Sequence, residues 1–543
     1  MTPLTSPIEA ENPFSLAAGA TSAHQVAPKG LGTPELNNKR FFSGRRTGIV
    51  LVVTLAWVLN LLALGMGARH RVPRPDEGHF SSAAYNLAHF GVLGTTTIDP
   101  DATGLLRINQ RTYFVMPLYL LVQAGWLKLF PASIFSIRIL NLLLLVPTLW
   151  CIHRIVHILT GNKLAAAITV ALLPLDYAFM FATISARPDV LCLLFGMMAI
   201  ASYLTLRTSS FHRAMLWSAF FVTLSVLTHP NAVIHAVALA ALILYYDRSR
   251  IDVKSVLGAM AMACLLFLPW ALYVSEDFAA FRAQMSANAL NNHRFAASLN
   301  PLRLVLDELG RYANAYGLLS GQSLPKLKAV VLVPYIAALA AIFLWPSFRS
   351  LKGVRLLAIG WALCFAVQCV FNQKLSVYLL HILPFYAALV ATLIVFLWQK
   401  YSTAAKGLAL LLVFAAAVQV SGMVLSSFDK SEEFQRQAAN FIERRMTAAR
   451  TINGSVVLTY DLNFDSRLTE DHALGLTTGK RPDVIVIDDN YRESFAYMAK
   501  SRPELFAQVQ SRLNQYTLAR EFGTYRVYAN PDLYASEQAR SAF

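Results

Sequence analysis

The chain has 543 residues, of which 56% are apolar and 14% charged, with a mean hydropathy of +0.47. A soluble globular domain carries about 25% charged residues. The composition therefore excludes an ordinary soluble enzyme, and equally a chain disordered over most of its length or a disulfide-stapled secreted domain, since only five Cys are present. It describes a polytopic membrane protein. The net charge of +16 is unevenly spread: acidic and basic side chains nearly balance in 428–543, so the positive excess lies in the hydrophobic part. There it points to anionic lipid or phosphate partners. No basic stripe interleaved with aromatics suggests nucleic acid.

In chain order, 1–47 is polar and Pro/Ala/Ser-containing, and reads as a disordered cytoplasmic tail. It ends in Lys39, Arg40, Arg45 and Arg46, ahead of a first span at 48–67. That lead-in and the 20-residue core fit a signal peptide poorly. Further apolar runs at 134–158, 164–183, 189–206, 255–274, 327–346, 354–371, 377–398 and 407–427 are each close to the roughly 20 residues a membrane helix needs. Between them, 214–246 contains His229-Pro230-Asn231 at its middle. Arg207 and Arg213 precede this segment, and Arg248, Arg250 and Lys254 follow it. With both flanks cytoplasmic by the positive-inside rule, it crosses twice and breaks at the proline. The basic loops Arg154/Lys163, Arg349/Lys352/Arg355 and Lys400/Lys406 fall on the same side. The expectation is eleven spans over 48–427, with the N-terminus inside and the C-terminus outside.

Two long loops, about 68–133 and 275–326, then face outward. Apolar residues at helical spacing in 77–90 and 116–129 predict helices lying in the membrane interface. Residues 428–543 predict a small external α/β domain, with helices at 432–450 and 491–514 and β-rich runs at Val456–Tyr460, Val484–Ile487 and Tyr525–Ala529. This domain has no nucleophile motif, phosphate loop or metal-ligand spacing. Its Asp488-Asp489 pair reads either as an exposed turn or as a cation site.

Chemistry-bearing residues gather at the outward ends of the spans. In Arg74-Pro75-Asp76-Glu77-Gly78-His79, two carboxylates open a helix. They read as a helix cap or as a general base at the membrane–water boundary. The second loop carries Asn291-Asn292-His293-Arg294-Phe295 amid Arg282, Arg303 and Arg311, a pattern suited to phosphate. Lys374 and Tyr378, four residues apart, would share a helix face and one ligand. The other reading is a snorkelling lysine with an aromatic belt. Arg187 and Asp189 stand at another span mouth, with a structural ion pair as the plain alternative. His229 occupies the hairpin tip, where it serves the turn or the same surface.

This order of motifs resembles the GT-C glycosyltransferases of the protein O-mannosyltransferase and lipid A aminoarabinose transferase type, over roughly 48–427. Pro75-Asp76-Glu77 and the helix ending at Gly91 resemble the family's acidic motif in the first external loop. Met116-Pro117-Leu118-Tyr119 through Phe130, followed by Arg138, is similar to its second interfacial helix and next span. Asp189 matches an Asp that the family carries at the equivalent span mouth. His293-Arg294-Phe295 resembles the segment whose Arg binds the lipid phosphate, and Lys374-Leu375-Ser376-Val377-Tyr378, with Pro384 beyond, the Lys-Leu-x-x-Tyr signature. Relatives often place Lys or His where this chain has Met116, so a phosphate contact is missing there; Arg111 and Arg107 are the nearby substitutes.

The resemblance implies transfer of a hexose or pentose from a polyprenyl-phosphate carrier to an acceptor on the external, periplasmic face of the inner membrane. The acceptor is a glycolipid of lipid A or lipopolysaccharide type, an envelope glycan or a protein. Asp76 is the candidate base, with Glu77 beside it, in an inverting reaction. Arg294, Lys374, Tyr378, Asp189, Arg187 and His293 are the candidate substrate-binding residues. The scheme calls for no cofactor and no metal, and its partners are the lipid-linked donor, the acceptor and membrane lipids. The rival class is a transporter or flippase of an amphipathic anion. Against it, span interiors are nearly free of acids, Asp176 excepted, and no internal repeat is present. An assembly subunit anchored by the spans is a third class, for which eleven spans are excessive.

Overall fold

A computed structural model describes residues 46–288, 300–428 and 430–541. The tail expected at 1–47 lies outside the described residues, apart from its last two, which open the helix Arg46–His70. Among the described residues, eight helices are long and apolar enough to cross a membrane, and a ninth span is formed if one bent pair counts as one. That pair, Lys163–Leu175 with Tyr177–Ile184, turns by 70°. Its break falls at Leu173-Pro174-Leu175-Asp176, where the proline opens a 3-10 turn and Asp176 caps the next helix by accepting from Phe179 N at 3.0 Å.

The eleven segments expected to span are all helical. Beyond the eight and the bent pair, Arg46–His70 is a 25-residue helix over the first expected span, and Val354–Val370 is an apolar helix of 17 residues. The segment 377–398 begins as a 3-10 turn, Ser376–His381, before the helix Leu383–Lys400 starts with Pro384 in its first turn, where a missing N–H is tolerated. The expected break at His229-Pro230 is present, between Phe211–Thr228 and Ala232–Asp247.

Position in the bundle follows composition. Asp189–Leu206 and Leu383–Lys400 are the most buried spans and form its centre, whereas Val253–Ser275 lies at the periphery with Ser255 as its one buried residue. Both helices expected in the first long loop form, as Pro75–Phe90 and Pro117–Leu129. Each has proline at its first position, and the former ends on Gly91 in the left-handed region at φ +72°.

The C-terminal domain is a five-stranded mixed sheet in the order β2-β1-β3-β5-β4, with β1 Ile452–Asn453, β2 Leu468–Thr469, β3 Val484–Ile487, β4 Thr517–Phe522 and β5 Tyr525–Ala529. Strands β2, β1 and β3 run parallel, and β5 is antiparallel to β3 and β4. The run expected as a strand at Val456–Tyr460 is instead a 3-10 turn, Val456–Thr459. Its four residues are all buried, and it packs on the Pro75 helix, so apolar character here serves docking and not a ladder. The helix expected at 491–514 is two, Asp489–Ser501 and Pro503–Leu513, broken by Pro503.

Docking of this domain onto the Pro75 helix is close. A Cβ added to Gly78 would lie 2.7 Å from the Val456 carbonyl oxygen. Tyr460 OH donates to Ser81 Oγ at 2.8 Å, Tyr85 stacks on Phe464, and His79 lies 3.2 Å from Glu470. Gly78→Ala is therefore expected to cost about 1–3 kcal/mol through overpacking against backbone that cannot yield. Thermal scanning in detergent checks this, with faster proteolytic release of the C-terminal domain as a second readout.

Asp488 is not in an exposed turn. It is buried, caps Asp489–Ser501 by accepting from Tyr491 N at 3.0 Å, and burial pushes its carboxyl up to about 6. The native state thus holds a proton there more tightly than the unfolded chain, and stability falls as pH rises from about 4 to about 6. Asp488→Asn keeps the cap without the charge. It is expected to leave Tm unchanged near pH 4 and to raise stability by about 1–3 kcal/mol at pH 7.5.

Candidate active site

The two carboxylates that open the Pro75 helix have opposite fates. Glu77 is fully buried beneath the helix. Arg138, from the helix Ile134–Thr160, grips it with two bonds, Nε to Oε1 at 3.0 Å and Nη2 to Oε2 at 2.9 Å. Ala186 N donates to Oε1 at 2.7 Å and Arg74 N to Oε2 at 2.8 Å. The last bond is the reach-back of a first-turn Glu to the cap residue, so for Glu77 the capping reading describes the geometry. Burial by itself would raise this carboxyl; the Arg138 guanidinium and the two backbone N–H groups outweigh it and hold it below the usual range. Arg138 also donates to the carbonyls of Ala68 and Arg71, tying the first helix, the Pro75 helix and the Ser185–Arg187 turn into one support.

Asp76, one residue earlier, turns the other way, into an open cavity of about 1100 Å³. Its side chain is half-exposed, and Arg187 Nη1 donates to its Oδ2. Arg187 itself is buried and bonds Asp189 Oδ2 through Nε at 2.9 Å, so one guanidinium bridges two carboxylates. The Arg187 turn is held from behind by Asn141, which donates to the carbonyl oxygens of Ser185 and Arg187. The structural ion pair expected of Arg187 and Asp189 is present, and it is also part of the cavity wall.

Tyr378 and His229 continue the wall beside Arg187, with their rings 5.6 Å apart and the Tyr378 ring centre 5.9 Å from the guanidinium carbon. His229 Nδ1 also accepts from Asn231 N at 3.1 Å, so it serves both the hairpin turn and the cavity. Phe80, Phe114, Met116, Met285, Asn288, Gln373 and Leu375 line the remainder. Residues from the first loop, three span mouths and the second loop thus meet around one space. Phe80, Met285, Asn288 and Gln373 were not anticipated, since none belongs to a chemistry-bearing motif; their placement depends on which helix faces meet.

Lys374 corrects the helical expectation. Residues 373–375 are not helical, so Lys374 and Tyr378 do not share a helix face. The Lys374 ammonium donates to Glu308 at 3.0 Å and to the Gln368 and Cys369 carbonyls at 2.9 and 3.1 Å. Buried Arg311 meets the same Glu308 carboxylate at 3.0 Å. The cavity is lined by Lys374's neighbours Gln373 and Leu375, and not by Lys374. The two arginines offered for the place of Met116 are also committed elsewhere, Arg107 to Asp277 at 2.8 Å and Arg111 to Glu276 at 2.5 Å. His293 and Arg294 lie outside the described residues.

Residues 110–273 match the sequence family described as dolichyl-phosphate-mannose-protein mannosyltransferase. That match spans the second interfacial helix, the Arg187 turn and the His229 hairpin. In fold, the chain is similar to ArnT from Cupriavidus metallidurans bound to undecaprenyl phosphate, with a TM-score of 0.58 and 14% identity over 90% of this chain and 99% of that one. The chain therefore carries, over 110–273, the sequence pattern of that mannosyltransferase family within an ArnT-like polytopic membrane fold. The apo ArnT structure gives a TM-score of 0.57 at 14% identity, over the same shares of both chains. The apo oligosaccharyltransferase of Archaeoglobus fulgidus gives 0.51 at 12% identity, over 88% of this chain and 74% of that one. A comparison with curated protein sequences finds no match.

Proposed function

We propose that this protein is a glycosyltransferase that moves a sugar from a polyprenyl phosphate to an acceptor hydroxyl, with inversion, in the cavity between the Pro75 helix, the Arg187 turn and Tyr378. Asp76 carries the reading: it is the carboxylate that projects into the cavity, oriented by a buried arginine. Its oxygen takes the acceptor's proton as the acceptor oxygen attacks the anomeric carbon from the face opposite the phosphate. The bond from that carbon to the phosphate oxygen breaks, and polyprenyl phosphate leaves with the electron pair. The aromatic wall of Phe80, Phe114 and Tyr378 suits a sugar face.

Cations must meet the leaving phosphate. Arg187 stands in the wall, and the family resemblance assigns a further contact to Arg294, beside His293. Lys374 acts at one remove, by bracing the segment that carries Gln373, Leu375 and Tyr378. The donor class is supported by the family match over 110–273 and by the likeness to a fold that holds undecaprenyl phosphate. The acceptor is a glycolipid, envelope glycan or protein on the outward face, with the N-terminus cytoplasmic.

The test is full-length protein in proteoliposomes loaded with radiolabelled sugar on polyprenyl phosphate. Release of free polyprenyl phosphate that depends on added acceptor is the expected result. Movement of intact donor between leaflets with no cleavage would establish the transport reading instead.

A further inference from the structure

Beneath the cavity, three segments distant in sequence bring a thiol and two imidazoles to one point. Cys192 lies on Asp189–Leu206, His235 on Ala232–Asp247, and His381 ends the 3-10 turn Ser376–His381. One ligand atom from each lies within 4.8 Å of the others, and all three side chains are fully buried. His235 Nε2 and His381 Nδ1 are 3.1 Å apart. The outer ring nitrogens, His235 Nδ1 and His381 Nε2, have no hydrogen-bond partner. Cys192 Sγ sits 3.3 Å from Ser225 Oγ. Polar rings buried in an apolar bundle are costly unless satisfied, and one shared hydrogen bond does not satisfy two imidazoles.

We propose that Cys192, His235 and His381 form a zinc-class metal site inside the helix bundle. One thiolate and two imidazole nitrogens are a borderline-soft donor set that suits tetrahedral zinc with a fourth position left open. Bonds of about 2.0–2.3 Å would place the ligand atoms about 3.3–3.6 Å apart. The two nitrogens already stand near that spacing, and the sulfur lies within 4.8 Å of both. Ion binding releases the Cys192 thiol proton.

Two further features favour the site. His235 is seated on bare backbone, since a Cβ at Gly196 would fall 2.2 Å from its Cδ2. Asp189, one turn before Cys192, keeps an unpartnered Oδ1 in the same buried region, where its negative charge balances the cationic centre. The site would fasten three cavity walls from behind. His381 ends the turn that carries Tyr378, Cys192 follows Asp189, and His235 follows the His229 hairpin. Its role is positioning and does not depend on which sugar or acceptor the cavity takes. Sequence spacing gave no sign of it, because each ligand comes from a different segment.

The test uses the full chain in detergent, stripped with chelator and titrated with Co²⁺. One equivalent is expected to produce a thiolate-to-cobalt charge-transfer band with tetrahedral d–d absorption, displaced by one equivalent of Zn²⁺. Cys192→Ser should abolish the band, whereas Ser at Cys151, Cys264, Cys364 and Cys369 together should leave it. Gly196→Ala retains all three ligands but displaces His235, and should weaken Co²⁺ binding by about 10–100-fold. A monodisperse wild-type protein that shows no charge-transfer band at one equivalent would overturn the proposal, as would a band that survives Cys192→Ser. The titration of the unaltered protein keeps the test decisive if a variant fails to fold.

Discussion

Asp76→Asn is expected to lower sugar transfer by about 10²–10⁴-fold, the contribution of a positioned general base. Folding should survive, because the side chain is half-exposed and sits at the cavity edge. Asn retains the size of Asp and still accepts from Arg187 through its amide oxygen, so donor binding should change little. The loss should therefore appear in kcat, with charged polyprenyl phosphate accumulating in membranes and a normal gel-filtration profile. A folded Asp76→Asn protein with unaltered turnover would remove Asp76 as the base.

The neighbouring carboxylate should behave in the opposite manner. Glu77→Gln is expected to cost about 3–5 kcal/mol of stability, because it leaves Arg138 buried without its counter-charge. Both side chains are 1% exposed, so water cannot compensate. Replacing Glu77 and Arg138 together by apolar residues of similar size should cost less than the sum of the two single changes, a coupling that a double-mutant cycle in thermal unfolding measures. The same pair sets an acid limit. The Glu77 carboxyl is held below its ordinary value in the folded protein, so its contribution is present at neutral pH and is lost as pH falls from about 4.5 through the folded value. Adjacent carboxylates should thus separate by readout, Asp76→Asn in rate and Glu77→Gln in stability.

The path from sequence to site was uneven for physical reasons. Apolar run length identified the helices of the bundle, and proline placement gave the His229-Pro230 break and the starts of the Pro75 and Pro117 helices. These are local properties: a missing N–H, a fixed φ, or about 20 apolar residues act wherever the rest of the chain lies. Where apolar character had two uses, the local reading erred. Val456–Thr459 is buried as a docking turn and not as a strand, because Gly78 admits it against the Pro75 helix. Lys374 and Tyr378 have helical spacing, but 373–375 are not helical and Tyr378 sits in the 3-10 turn ahead of the helix that starts at Leu383 with Pro384 in its first turn.

Composition, span pattern and motif order were enough, by themselves, to place this protein in the membrane, to anticipate a small α/β domain at its C-terminal end, and to name Asp76 and Arg187 as candidates. Only the tertiary structure separated Asp76 from Glu77. A helix advances about 100° per residue, so adjacent side chains face different neighbours, and which face meets the cavity depends on packing against Arg138 and Ala186. The gathering of Cys192, His235 and His381 was equally invisible along the chain. Three residues on three segments acquire a common centre only when the helices that carry them pack together, and that packing is decided by the complementarity of whole faces.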